Sequence, residues 1–149
     1  MRLHGDRLPK QPRLGTTGGS SCLSGAPNEV WSFGGEVYEI CKKYLDIREQ
    51  LRPYIRKQME EAHVKGTPVM RPLFYDFPED SNAWHIRDEY MFGGKLLVAP
   101  VYRMGEREKE VYLPQGCTWV NVWNNDVLEG GSRIKVECAL DTIPVFRRD

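Results

Sequence analysis

The sequence has 149 residues, 40% of them hydrophobic and 11% aromatic, which suffices for one ordinary packed domain or two partial ones. Its 21 basic and 21 acidic residues cancel to a formal net charge of zero and form no basic face, which argues against a nucleic-acid partner. No apolar run approaches the ~20 residues that span a bilayer, and the N-terminus lacks the apolar segment of a signal peptide. We therefore expect a cytoplasmic protein with no membrane partner.

The four cysteines, at positions 22, 41, 117 and 138, form no Cys-x-x-Cys pair, and no histidine lies at metal-ligand spacing from them. Free thiols in a reducing compartment are the expected state. Nothing in the sequence indicates a metal site or a cofactor.

Residues 7–35 predict irregular backbone, because prolines and glycines recur along them. A structureless loop of this length is usually a functional lid or rim, or else disordered. Trp31 and Phe33 at its end favour a packed loop over a linker.

From Glu36 to Lys65 apolar residues recur at steps of three and four, which predicts an amphipathic helix with one apolar stripe that includes Tyr44, Tyr54 and Met59. Pro53 removes one backbone donor, so we expect a kink or two abutting helices with Pro53 in the first turn of the second. Gly66 suits the left-handed position after the last turn, and Pro68 follows it.

After Gly66 the pattern changes to short strands separated by turn residues, which predicts an antiparallel sandwich or sheet pair. The run Leu96–Ala99 is apolar without alternation and predicts a central strand buried on both faces. Asp88–Phe92 predicts a single helical turn. The predicted strands are Val69–Asp76, Leu96–Val101, Glu110–Leu113, Thr118–Val122, Ser132–Cys138 and Ile143–Arg147.

A helix pair with one short preceding strand cannot close a core of its own, which indicates a fragment of something larger. Several segments, in this order, carry a family resemblance. They are Met1-Arg2-Leu3-His4-Gly5, Glu29–Gly34, Leu51-Arg52-Pro53-Tyr54, Gly66–Pro72 with Phe77-Pro78, Asp88–Gly93 with Leu96–Val101, Val111–Gly116 and Ile143–Phe146. Together they resemble the C-terminal part of the catalytic region of glycoside hydrolase family 31, whose members include α-glucosidases, α-xylosidases and related retaining enzymes. Trp123–Asp126 leans toward the bacterial α-xylosidase-like branch.

The resemblance implies an α+β fragment in two parts. Residues 1–66 would be the last β/α unit of a (β/α)8 TIM barrel, with its last strand, a long loop and a helix pair. Residues 67–149 would be an antiparallel β-sandwich, the proximal C-terminal domain. The implied partners are an oligosaccharide or glycoside substrate and the rest of the catalytic barrel.

Retaining hydrolysis needs two carboxyl groups about 5–5.5 Å apart. In the resembled family both are aspartates on strands upstream of this region, so we expect no catalytic residue in this chain and no activity from it alone. Asp76, Glu79 and Asp80 flank Pro78, where acidic side chains are usually solvated or cap local amides. The same interpretation applies to Asp88-Glu89.

His4 and Arg2 are the predicted substrate-binding residues. Barrel active sites lie at the C-terminal ends of the strands, and the resemblance implies that His4, at such an end, donates a hydrogen bond to a hydroxyl of the sugar at the cleaved position. Without the resemblance, a surface histidine would be the simpler interpretation. Arg2 would share the face of the strand with His4. It would either brace the site by an ion pair or form an ordinary salt bridge in the barrel interior.

The remaining tryptophan and histidine residues are expected to have structural or surface positions and no part in substrate binding. Trp31 is expected to pack at the helix start rather than to line an aglycone subsite, and Trp84, Trp119 and Trp123 are expected to fill the sandwich core. His63 and His85 are expected at the surface. The alternative function is a non-catalytic carbohydrate-binding or assembly module built on the β half, for which the helix pair in front would be unnecessary.

Overall fold

The computed structural model describes residues 29–149, and the chain divides into two compact units between Tyr38 and Glu39. A short 3-10 helix, Val30–Phe33, precedes α1, Gly35–Gln50, and α2 follows at Arg52–Lys65. Pro53 lies in the first turn of α2, as predicted. Gly66 ends α2 in the left-handed conformation, with φ of 69°, and donates its N–H to the Ala62 carbonyl. None of the described helices is long and apolar enough to cross a membrane.

The β half consists of two antiparallel sheets. The strands are β1 Met70–Arg71, β2 Tyr90–Phe92, β3 Leu96–Val98, β4 Glu108–Leu113, β5 Thr118–Asn121, β6 Val127–Glu129, β7 Ser132–Glu137 and β8 Val145–Arg148. Six of them form one sheet in the order β1-β2-β3-β8-β5-β6, and β4 pairs with β7 in the other. A short helix, α3, Leu73–Asp76, connects β1 to the loop before β2.

One core joins the two sheets. Leu97, Trp119 and Phe146 contribute fully buried side chains from the larger sheet, and Val111 and Leu113 contribute theirs from β4. Because alternate residues of a strand point to one face, both sheets direct an apolar face toward this core. The predicted burial of Trp119 is therefore confirmed.

The predicted strand Val69–Asp76 is wrong in its second half, which forms α3. Pro72 has no N–H to continue the ladder, and its extended conformation places it as the N-terminal cap of α3. The Tyr75 N–H then donates to the Pro72 carbonyl, and the Phe77 N–H donates to the Leu73 carbonyl.

The helical turn predicted over Asp88–Phe92 is also wrong, because Tyr90–Phe92 pairs with both β1 and β3. Gly93, with φ of 63°, makes the reversal between β2 and β3. β3 is central in its sheet as predicted, but only one face is fully buried. Leu97 and Ala99 are inaccessible, whereas Leu96 and Val98 are half-buried.

The helix pair packs loosely within the described residues. No residue of α1 is buried, and Gln58 is the buried residue of α2. Met59 is 60% exposed, so part of the predicted apolar stripe faces solvent within the described residues. Poor solubility of the isolated chain, which we expect from such exposure, stays a prediction.

Candidate functional site

The predicted substrate-binding residues, Arg2 and His4, lie outside the described residues, so their roles stay predictions. Among residues 29–149, no group of three or more histidine, cysteine, aspartate or glutamate side chains is arranged to hold a metal ion. The candidate chemistry of the described part therefore rests on its acidic residues and on the contacts between the helices and the sheets.

The acidic residues around Pro78 are bound by structural partners. Asp76 accepts a hydrogen bond from Nε of Arg71 at 2.7 Å, and both side chains are largely buried, so the expected solvation of Asp76 is wrong. Such a pair contributes little net stability, but removing one partner destabilises the fold by roughly 3–5 kcal/mol because the other charge is left buried and unpaired. Glu79 is exposed.

Asp80 caps amides of its loop, as predicted, and also anchors that loop to the second sheet. Its Oδ1 accepts from the Asn82 N–H at 3.0 Å, and its Oδ2 accepts from the Tyr112 hydroxyl at 2.7 Å and the Gln115 N–H at 3.0 Å. Burial opposes ionisation of Asp80, yet the hydrogen bonds from Gln115, Tyr112 and Asn82 outweigh it and lower the pKa of its carboxyl. This aspartate stays ionised and holds the loop.

Glu89 is the most perturbed acid of the described residues. It is 6% exposed, its Oε1 accepts from the Tyr112 N–H at 2.8 Å, and its Oε2 has no partner within residues 29–149. Burial raises the pKa of Glu89 to about 7. Neighbouring Asp88 instead bonds Nζ of the buried Lys109 at 2.6 Å. The expected solvation or local capping is therefore wrong for Glu89, and sequence patterns gave no sign of this difference between two adjacent acids.

Two tyrosine hydroxyls join the helices to backbone groups at or next to the strands of the larger sheet. Tyr44 of α1 donates to the Asp141 carbonyl at 3.0 Å and accepts from the Ile143 N–H at 2.9 Å. Tyr54 of α2 donates to the Phe92 carbonyl at 2.8 Å and accepts from the Lys95 N–H at 3.3 Å. Each hydroxyl thus pairs one carbonyl and one N–H where a strand begins or turns.

Burial raises the pKa of both tyrosines, so both hydroxyls stay protonated and able to donate at neutral pH. Sequence reasoning placed Tyr44 and Tyr54 in the apolar stripe and missed these bonds. The signal was available in the residue type, because a half-buried tyrosine hydroxyl usually finds a hydrogen-bond partner.

The turn at Gly93 fits closely against α2. A Cβ at this position would lie 2.2 Å from Oη of Tyr54 and 2.5 Å from Oε1 of Gln58. Gln58 Oε1 also accepts from the Gly94 N–H at 3.2 Å. The β2–β3 turn therefore requires glycine both for its left-handed conformation and for the close approach of the helix.

A second contact region connects α1 to the segment before β8. Lys43 Nζ bonds Oδ2 of Asp141 at 2.8 Å and lies 4.8 Å from the centre of the Trp123 ring. The hydrogen bond from Lys43 lowers the pKa of Asp141. Trp123 is 38% exposed, so its predicted position in the sandwich core is wrong, and its indole N–H donates to the Ile143 carbonyl at 2.7 Å.

Trp31 and Trp84 also differ from prediction, because they are 71% and 55% exposed. His63 and His85 are exposed, as predicted. Cys41, Cys117 and Cys138 are free thiols.

Comparison with known proteins assigns the fold just described. The sequence profile of the "Glycosyl hydrolase family 31 C-terminal domain" matches residues 66–149. The chain belongs to glycosyl hydrolase family 31. The family 31 match begins at Gly66, which is also where the helix pair ends and the strands begin.

Relatives of this family 31 chain extend the likeness into the helix pair. An α-xylosidase of Saccharolobus solfataricus is 36% identical over 148 residues, 99% of this chain and 18% of its own length. Alpha-glucosidase 2 of Bacillus thermoamyloliquefaciens is 39% identical over 118 residues, 79% of this chain and 15% of its own. The crystal structure of a family 31 α-xylosidase from a soil metagenome, complexed with xylose, is 44% identical with a TM-score of 0.82. That alignment covers 96% of this chain and 21% of the xylosidase chain. This chain therefore spans about a fifth of the length of the relatives it matches.

Proposed function

We propose that this chain is part of a retaining α-glycosidase that hydrolyses α-linked glucosides or xylosides. Residues 1–66 would supply the last β/α unit of the catalytic (β/α)8 barrel, and residues 67–149 would form the proximal β-sandwich beside it. The aspartate nucleophile and acid/base would lie outside this chain, so it would be inactive alone. The location would be cytoplasmic, in keeping with the free thiols of Cys41, Cys117 and Cys138.

The observation that supports this proposal most is the reach of the likeness beyond the sandwich. The S. solfataricus α-xylosidase aligns with 99% of this chain, including the helix pair and the segment with Arg2 and His4. The tyrosine bonds between helices and sheets fit the same proposal, because a sandwich that fixes the last barrel helix would also support the strand before it.

Within the intact enzyme, His4 would donate a hydrogen bond to a hydroxyl of the sugar at the cleaved position. A neutral imidazole carries one donor and one acceptor, which matches a pair of sugar hydroxyls. Arg2 would lie on the same face of the strand and hold the site by an ion pair. Both roles come from the family motif.

A chimera tests the proposal. This chain replaces the aligned 148 residues of the S. solfataricus α-xylosidase, and hydrolysis of an aryl α-xyloside and an aryl α-glucoside is measured. We expect turnover by the chimera and none by this chain alone. His4→Ala in the chimera should lower kcat/KM by about tenfold, the order of one lost hydrogen bond.

His63→Ala serves as the matched control, because His63 is exposed on α2. Hydrolysis by the pure chain would contradict the expected position of the catalytic pair. A folded, active chimera in which His4→Ala and His63→Ala have the same kcat/KM would contradict the role of His4.

A further inference from the structure

Trp84 is a large aromatic side chain that is held rigidly while remaining 55% exposed. Its ring stacks on Phe74, with centroids 4.7 Å apart and planes inclined by 12°. Its indole N–H donates to the Pro78 carbonyl at 3.0 Å. One face of the ring therefore packs on Phe74 and its only polar group is satisfied, while more than half of the side chain stays accessible within the described residues.

The loop that carries Trp84 is fixed to the core. Ala83, the preceding residue, is fully buried, and its N–H donates to the Asp80 carbonyl at 3.0 Å. The Asp80 carboxylate holds the same loop to Tyr112 and Gln115, as described above. A ligand that stacks on Trp84 would consequently spend little free energy on ordering the loop or the ring, which is the main advantage of a preorganised site.

The residues that neighbour Trp84 along the chain are mostly polar. Glu79, Ser81, Asn82 and His85 are all exposed. Nδ2 of Asn82 donates to the Tyr112 hydroxyl at 3.3 Å. Within residues 29–149, Oδ1 of Asn82 and the His85 imidazole have no hydrogen-bond partner.

We propose that Trp84, Asn82 and His85 form a binding site for a pyranose ring of an α-linked oligosaccharide. The C–H face of a pyranose is apolar and flat enough to stack on an indole, while its hydroxyls project outward to polar groups at the ring edge. A protein partner would be expected to use a larger apolar surface than one tryptophan within a polar border. The choice of an α-linked sugar rests on the proposed function.

The test is calorimetric titration of the 149-residue chain with isomaltotriose, with sorbitol as the control solute. Sorbitol carries hydroxyls but has no ring face to stack. We expect binding of isomaltotriose with a dissociation constant of roughly 1 mM, because a single stacked ring forms a small site. Sorbitol should give no saturable heat.

Substitutions identify the site. Trp84→Ala should weaken isomaltotriose binding by at least about tenfold, whereas Trp84→Phe, which keeps a stacking face, should weaken it only a few-fold. Trp123→Phe is the matched control, since Trp123 is also partly exposed and its ring contacts Lys43. It should leave the affinity unchanged.

Three results would overturn the proposal. The first is an absence of saturable isomaltotriose binding by the folded chain. The second is an isomaltotriose affinity of Trp84→Ala equal to that of the parent, with Trp84→Phe and Trp123→Phe also unchanged. The third is a change in the sedimentation of Trp84→Ala without a change in its sugar affinity. The last would indicate that Trp84 mediates self-association. None of these outcomes bears on turnover by the chimera, so a failed binding site and a failed assignment of activity are distinguishable.

Discussion

Glu89→Gln is expected to remove a pH dependence from the stability of the unit Glu39–Asp149. Glu89 is buried, and its Oε2 has no partner within residues 29–149, so its ionised form is poorly solvated in the folded protein. The unfolded chain ionises this carboxyl at its ordinary pKa. Folding therefore favours the protonated form, and glutamine cannot show this effect because it does not ionise.

The magnitude follows from the pKa of Glu89, raised from 4.5 to about 7. Below pH 4.5 both states are protonated and Glu89 adds no pH dependence. As pH rises through the interval, the unfolded state releases its proton first, so the free energy of unfolding falls. At about 1.4 kcal/mol per pH unit, the total fall is about 3 kcal/mol, complete above pH 7.

Urea unfolding followed by tryptophan fluorescence at intervals from pH 5 to pH 8 measures this effect. Asp80 does not affect the result in this pH range. Because its pKa is lowered, its contribution to stability is constant from pH 5 to pH 8 and is lost only as the pH falls below the ordinary pKa of aspartate. We expect the parent and the control Glu79→Gln to lose about 2–3 kcal/mol across the window and Glu89→Gln to lose far less. Comparing slopes avoids the separate cost of burying an unpaired amide. Parallel pH profiles for the parent and Glu89→Gln would refute the reasoning.

Three further substitutions probe the contacts between elements by the same urea assay. Gly93→Ala should destabilise by roughly 2–4 kcal/mol, because its Cβ would overlap two side chains of α2. Gly105→Ala, at φ of 79° with open space around it, isolates the backbone part of that cost, and equal losses at both glycines would argue against the close contact. Tyr44→Phe should cost roughly 1–2 kcal/mol by unpairing two backbone groups, and a change below the error of the assay would show that water replaces the hydroxyl. Asp80→Asn should lower the free energy of unfolding by roughly 1–3 kcal/mol, whereas the control Glu79→Gln should leave it unchanged. Equal stability of the two variants would contradict the role of Asp80 as the anchor of its loop.

The sequence predicted those secondary-structure boundaries that a single residue determines through its own backbone geometry. Pro53 and Gly66 act through their own backbone geometry, so the break between α1 and α2 and the end of α2 could be read from the sequence. β2 could not, because Tyr90–Phe92 lies between β1 and β3 and is extended through its pairing with both, and β1 is remote in sequence. Pro72 carried a local signal for the end of β1, since it cannot donate to the ladder.

The contacts of the candidate site depended on partners that no local pattern contains. The Tyr44 hydroxyl meets backbone groups 97 and 99 positions away. Whether a tryptophan fills a core or lies on a surface depends on where its loop runs, so Trp84 and Trp119 looked alike in sequence and differ completely in exposure. The roles of Arg2 and His4 rest on the family motif and await the chimera.

The hydrogen bonds of Tyr44 and Tyr54 bear on whether the helices before Gly66 and the sheets after it can unfold independently. Within the described residues, helices occupy most of the stretch from Val30 to Lys65 and the strands follow Gly66, where the family profile begins. Yet Tyr44 and Tyr54 each pair a carbonyl and an N–H of the β half, so separating the helices would return four backbone groups to water. At a net value of about 0.5–1.5 kcal/mol per hydrogen bond, these four bonds together match a substantial part of the stability of a small domain. The helices and sheets of the unit Glu39–Asp149 should therefore unfold together.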